Sequence, residues 1–181
     1  MILSTHAMVG AALGSFLPAN PAAALALGFG SHFVLDAIPH WDYPIRSSSL
    51  SLRIDAPAQL DRALLLDVMI LGADALLGML AAVLFFGSPE NQWAILLGAS
   101  GAMLPDPLQV VHARFPHGPL RMLQRFHGWI HADKRISKPF PLGVASQLIL
   151  VAVVVWLTET AHDGVFNTAV ATFFTTVQGR G

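Results

Sequence analysis

The chain has 181 residues, 54% of them hydrophobic and only 12% charged, with a mean hydropathy of +0.60. Soluble domains carry about 25% charged residues, so this is the composition of a membrane protein. A formal charge of −1 leaves no basic footprint for nucleic acid, and the absence of cysteine excludes disulfides, thiolate zinc sites and cysteine nucleophiles.

A first apolar helix is predicted over residues 5–17, with Ser4 or Thr5 as its cap and His6 in its first turn. No Lys or Arg precedes it, so we read it as a retained helix rather than a secretory signal, despite the cleavage-like small residues of 22–26. Its Gly10-Ala-Ala-Leu-Gly14 spacing is the small-xxx-small pattern that lets membrane helices approach closely. Pro18-Ala-Asn20-Pro21 breaks the chain, and a second apolar helix follows over 22–38. The first helix falls short of the ~20 residues a full span needs, so the pair reads as a hairpin that only partly crosses the bilayer.

The second helix ends in Ser31-His32-Phe33-Val34-Leu35-Asp36-Ala37-Ile38-Pro39-His40-Trp41-Asp42-Tyr43. His32 and Asp36 are one turn apart and leave the same face, where an imidazole and a carboxylate can share one divalent ion. Pro39 disfavours helix at Ile38 and turns the chain out of it. His40 and Asp42 therefore fall in an exposed connection and rank lower, as supporting or merely interfacial groups.

Residues 39–60 form a polar, Ser-rich connection with Arg46, Arg53 and Asp55. The longest helix is predicted over 58–86, apolar from Ala63 onwards except for Asp67 and Asp74, which lie two turns apart on one face. An Asp at the centre of a membrane helix costs ~2.5–3.5 kcal/mol on insertion scales, so each is a functional candidate by default. Asp74 taken alone reads slightly better as a hydrogen bond across a helix interface. A turn at 87–91 leads into an apolar run over 93–104 that ends at Pro105-Asp106-Pro107.

Residues 107–140 hold most of the positive charge, together with His112, His117, His127 and His131, and Leu120, Met122, Leu123, Phe126 and Ile130 predict an amphipathic helix lying at the interface. A last apolar helix is expected over 142–158, and the tail from Gly164 is left unplaced. The expected fold is thus all-α: one domain over 1–181, a polytopic integral membrane bundle of about five helices with an interfacial amphipathic helix.

Three of the ten Lys+Arg residues lie between His40 and Ala63 and six between Ala113 and Pro139, with none in the 87–91 turn. The positive-inside rule places both basic stretches in the cytoplasm. His6, His32, Asp36, Asp67, Asp106, His127 and His131 then come to one level of the membrane, with Asp74 about two turns deeper. His127-Gly-Trp-Ile-His131 is a second i, i+4 pair; Gly128 stands where H-E-x-x-H needs its Glu, which disfavours a zincin-type protease. We take His6, His32, Asp36, Asp67, Asp74, Asp106, His127 and His131 as candidate ligands of a divalent metal. A mixed His/Asp set suits zinc, with manganese or iron as alternatives, and the ligands are numerous enough for two ions. Arg121, Arg125 or Lys134 can steer an anionic phospho-substrate, although each alone reads as ordinary positive-inside charge.

Thr5-His6 opening a helix, Ser31-His32-x-x-x-Asp36 closing one and Leu104-Pro105-Asp106 after another resemble the bacterial membrane-bound metal-dependent hydrolase family (YdjM-like). His32-x-x-x-Asp36 is also similar to the ligand pair of zinc-dependent phospholipase C. The order of elements differs from that family, and Pro105-Asp106-Pro107 lacks its second Asp. The resemblance implies an inner-membrane metal-dependent hydrolase with membrane lipid as its surroundings. The first expectation is accordingly a hydrolase acting on a phosphoester or lipid-linked substrate at the cytoplasmic interface. A metal or proton carrier, with Asp67 and Asp74 as steps on a path, comes second. A structural membrane protein with packing histidines comes close behind, and haem ligation is a fourth alternative.

Overall fold

Helix α1 (Leu3–Ser15) packs against four others: α2 (Pro21–Asp36), α3 (Arg62–Phe86), α4 (Gln92–Met103) and α7 (Phe140–His162). The computed structural model describes residues 1–47, 50, 60–115, 118–131 and 140–164. Arg53, Asp55, the expected helix start at Ala58, His117, Lys134, Arg135, Lys138 and the tail beyond Gly164 lie outside the described residues. Among those described, all regular structure is helical, and α5 (Pro105–Arg114) and α6 (Gly118–Ile130) complete seven helices.

The close packing of α1 comes from its small residues. A methyl group at Gly10 would run into the Gly98 carbonyl of α4, and one at Gly14 into the Ala94 carbonyl. Gly28 of α2 meets that same Gly98 carbonyl, and Gly101 meets the Leu25 carbonyl. The small-xxx-small pattern thus brings α1, α2 and α4 together almost backbone to backbone. Ala7, Met8, Ala11, Ala12, Ala82, Phe86, Ile95 and Ala99 fill the core around this contact.

Helix α3 has an exterior suited to lipid. Its buried residues, Asp67, Asp74, Gly78, Ala82 and Phe86, form one stripe. Its bulky apolar residues, Leu65, Met69, Leu76, Leu77, Leu80 and Leu84, are exposed. A water-soluble helix has the opposite polarity. Small and polar groups inside with leucines outside suit a helix that meets lipid. Both α3 and α7 are long and apolar enough to cross a membrane.

The expected bundle of about five membrane helices is refined here. Two described helices can span, or three if α4 and α5 count as one span bent by 44°. The Pro105-Asp106-Pro107 stop was expected to end the helical run, yet α5 begins directly at Pro105. Proline is disfavoured inside a helix but is tolerated in its first turn, where the N–H would be unpaired in any case. The two prolines therefore bend the chain without ending its helicity.

Helix starts also differ from expectation. Neither Ser4 nor Thr5 caps α1: the N-cap is Ile2, with no side-chain cap of its own. The free N–H groups of this first turn are satisfied by other helices. Ile2 N–H donates to Gln147 Oε1 at 3.0 Å and Ser4 N–H to Asp74 Oδ2 at 3.0 Å. Asn20 and Asp61 cap α2 and α3 conventionally, accepting from Ala23 N–H and Leu64 N–H.

Candidate metal centre

Asp36 closes α2 with its carboxylate buried (1% exposed), and imidazoles from four parts of the chain converge on it. One turn back on α2, His32 Nε2 lies 3.1 Å from Asp36 Oδ2. His127 of α6 places Nε2 3.0 Å from the same oxygen, and His131, one turn on and just past the helix end, lies 3.8 Å away. His6 of α1 comes within 3.3 Å of Oδ1 and stacks on the His32 ring at 4.1 Å. Asp106, in the first turn of α5, brings Oδ1 within 3.6 Å of His32 Nε2.

The structure also brings in His40, which the break at Pro39 places, by sequence alone, in an exposed connection. His40 is buried, with Nε2 3.7 Å from Asp36 Oδ1 and 3.0 Å from Asp42 Oδ1. The cause is local. Pro39 ends the helix, but His40 Nδ1 then bonds the Ile38 carbonyl at 2.7 Å, which turns the ring back towards Asp36. The 31–43 stretch held the signal in its own spacing; the assumption that a chain leaving a helix at proline points outward hid it.

Two hydrogen bonds identify what the rings present to the centre. His32 Nδ1 faces the Ala102 carbonyl at 2.8 Å, and His40 Nδ1 faces that of Ile38. A carbonyl only accepts, so Nδ1 carries the hydrogen in both rings, and in the neutral ring Nε2 offers a lone pair. Both Nε2 atoms, both nitrogens of His6 and Nδ1 of His127 are buried without a hydrogen-bond partner. Lone pairs facing carboxylate oxygens at these distances repel unless a cation lies between them. Protonating every ring would crowd several positive charges around few carboxylates. A metal ion resolves the conflict, because it accepts the lone pairs directly.

The spacing fits as well. Donors held at ~2.0–2.2 Å from one tetrahedral ion stand ~3.3 Å apart. His32 and His127 stand 3.1 and 3.0 Å from Asp36 and Asp106 stands 3.6 Å from His32, with all four donor atoms within 4.8 Å of one another. His32, Asp36, Asp106 and His127 form one set able to hold a metal ion; Asp36, His40 and His131 form another. Carbonyl partners on the far nitrogen of ligating histidines are the usual means of fixing ring orientation.

Two of the predicted residues lie elsewhere in the fold. Asp67 accepts the backbone N–H groups of Arg46 at 2.9 Å and Ser47 at 2.7 Å, with Arg46 Nη1 at 3.8 Å. It pins the connection between α2 and α3. Asp74 takes the Ser4 N–H, which makes it a cap for α1 supplied from α3, and its carboxylate lies near Tyr43. Burial and the nearby Asp74 carboxylate push the Tyr43 phenol above its ordinary range.

The supporting polar groups went unnoticed in the sequence. Gln147 of α7 is buried; it accepts from Ile2 N–H and Thr5 Oγ1 and donates to the Trp41 carbonyl at 2.9 Å. It thereby ties α7 to the start of α1 and to the loop that carries His40 and Asp42. Gln109 donates to Asp106 Oδ1 at 3.0 Å and accepts from Gln124 of α6 at 3.2 Å. Single glutamines in apolar or amphipathic helices carry no pattern by which to find them.

No protein-family model, curated protein or solved structure matches the chain.

Proposed function

We propose that this protein is a membrane-embedded metal-dependent hydrolase acting on a phosphoester or lipid-linked substrate at the cytoplasmic interface of a bacterial-type inner membrane. The observation that carries the reading is the ring of imidazole Nε2 atoms around the buried Asp36 carboxylate, 3.0–3.8 Å away. His32, Asp36, Asp106 and His127 would hold the ion, zinc first by donor type and manganese or iron otherwise. A divalent ion in such a set supplies Lewis acidity and a water-derived nucleophile near neutral pH.

The residues around the set divide the remaining work. Asp106 and His131 are the more accessible donors, with side chains 32% and 24% exposed, so substrate approaches from the α5–α6 side. On that side α6 exposes Met122, Phe126 and Trp129 beside Arg121 and Arg125. Apolar and cationic groups on one amphipathic helix suit a surface where acyl chains meet phosphate. Gln109 holds Asp106 in place from outside the cluster. The carrier reading fares less well, because below Asp74 the buried stripe of α3 continues only as Gly78, Ala82 and Phe86.

Metal analysis of the purified full chain, combined with a phosphate-release and lipid-hydrolysis screen with and without chelator, tests this. Chelator-sensitive hydrolysis that is lost in His32→Ala and Asp36→Ala is expected. Protein that purifies without metal, or whose metal content ignores both substitutions, would sink the reading.

A further inference from the structure

We infer that Asp36 bridges two metal ions, and that the second is held by His40, His131 and Asp42. This rests on the metal centre proposed above and adds an ion to it. The two ligand sets share Asp36 alone. On one side, Asp36 Oδ2 faces His32 and His127, with Asp106 beyond His32. On the other, Oδ1 faces His40 Nε2 at 3.7 Å. Asp42 Oδ1 stands 3.0 Å from that same nitrogen. His131 closes the second set, its Nε2 3.8 Å from Asp36 and 3.9 Å from Asp42 Oδ2, its ring 5.0 Å from that of His40.

One ion cannot use this donor set. A tetrahedral site takes four donors, which His32, Asp36, Asp106 and His127 already supply. That leaves His40 Nε2 buried, without a hydrogen-bond partner and aimed at the gap between Asp36 and Asp42. Its ring is locked in that direction by the Ile38 carbonyl, as a ligating imidazole is. The gap attracts cations: the Met1 ammonium lies 2.6 Å from Asp42 Oδ1 and 3.2 Å from Asp36 Oδ1. A divalent ion seated on His40, His131 and Asp42 takes over that position.

The charge balance bears on the substrate. Asp36, Asp42 and Asp106 contribute three negative charges, so two divalent ions leave the centre with one net positive charge. A carboxylate-bridged pair of ions with a positive remainder suits a phosphoester, whose attacking and leaving oxygens such a pair can clamp. Two ions at this centre thus favour a phosphate ester over hydrolysable lipid in general.

Zinc and manganese stoichiometry of the full chain in detergent, paired with electron paramagnetic resonance of the manganese-loaded protein, tests the inference. The expected wild-type result is two ions per chain and an exchange-coupled manganese spectrum. His131→Gln, at a partly exposed position where loss of folding is not a concern, should fall to one ion and show the six-line signal of isolated manganese. His40→Gln should do the same, with its thermal melt as the control for folding. One ion in the wild type that both variants retain overturns the second site while leaving the first. Two ions retained in both variants overturn the assignment to His40 and His131. No ion at all overturns both the centre and this extension.

Discussion

Asp67 and Asp74 face inward from a helix long and apolar enough to span a membrane, and their hydrogen bonds separate them from the cluster that surrounds Asp36. Asp74→Ala leaves the part-buried Ser4 N–H without its acceptor, at a cost of up to about 1–3 kcal/mol. A lower melting temperature with unchanged metal content is the expected outcome. Asp67→Ala should behave alike through Arg46 and Ser47. Metal loss in either variant at a temperature where the fold persists would return that residue to the ligand set. Tyr43 adds a pH signature of defined sign. Its pKa is raised in the folded chain, so it stabilises the fold fully below the unfolded value of about 10 and loses that contribution as pH rises above it. Melting temperatures of wild type and Tyr43→Phe should therefore differ at pH 8 and converge in strong alkali.

At the scale of elements, the site depends on how closely α1, α2 and α4 approach. Gly98 lies where backbone carbonyls leave no room for a side chain, so Gly98→Ala must push α4 away from α1. Overpacking of this kind costs about 1–3 kcal/mol. It also shifts the Ala102 carbonyl that orients His32, so weaker metal binding should accompany the lower stability. Gly30 of α2, with nothing within 4 Å of its added methyl, is the control. There an alanine should be neutral or stabilise by up to about 1 kcal/mol, since glycine is the poorer helix former. Equal destabilisation by both substitutions, followed by thermal melts, would count against the close-packing account. Helix α5 illustrates the same dependence on local chemistry. Two prolines that read as a stop become a bend, and that bend is what aims Asp106 at His32.

For the whole molecule, the apolar exteriors of α3 and α7 suit lipid, and under the proposed function the exposed face of α6 is where substrate would approach. Replacing both Met122 and Trp129 by Ala removes apolar area worth about 1.5–3 kcal/mol per side chain when buried in lipid. Turnover of a vesicle-borne phosphoester should fall by roughly tenfold or more, with metal content and turnover of a water-soluble phosphoester unchanged. A parallel loss on both substrates would show that α6 acts only by holding His127. Metal binding should in turn stabilise the whole fold. An ion at a hundred times its dissociation constant adds about 2.7 kcal/mol, so chelator should lower the melting temperature measurably. Because the donors must be deprotonated to bind, acidification should release the ion and remove the same increment.

Much of this was legible in the chain itself, for physical reasons. Membrane character follows from composition, and helix from long apolar runs that have no strand alternation. His32 with Asp36 and His127 with His131 follow from the 3.6-residue turn, which places i and i+4 on one face wherever the helix lies. Those are local properties, and local geometry is written in spacing. Which aspartates join the cluster was not written there. Asp36, Asp67 and Asp74 are equally costly to bury as isolated residues, and only the packing of α1 against Asp74 and of the 46–47 backbone against Asp67 assigns them different partners. The glutamine ties from α5 and α7 likewise depend on contacts between residues up to 145 positions apart, whereas the turn of His40 back towards Asp36 and the bend at Pro105 have local causes. Spacing determines which donors can act as a pair; tertiary contact alone determines which pairs meet, because burial satisfies each polar group with whatever the fold brings beside it.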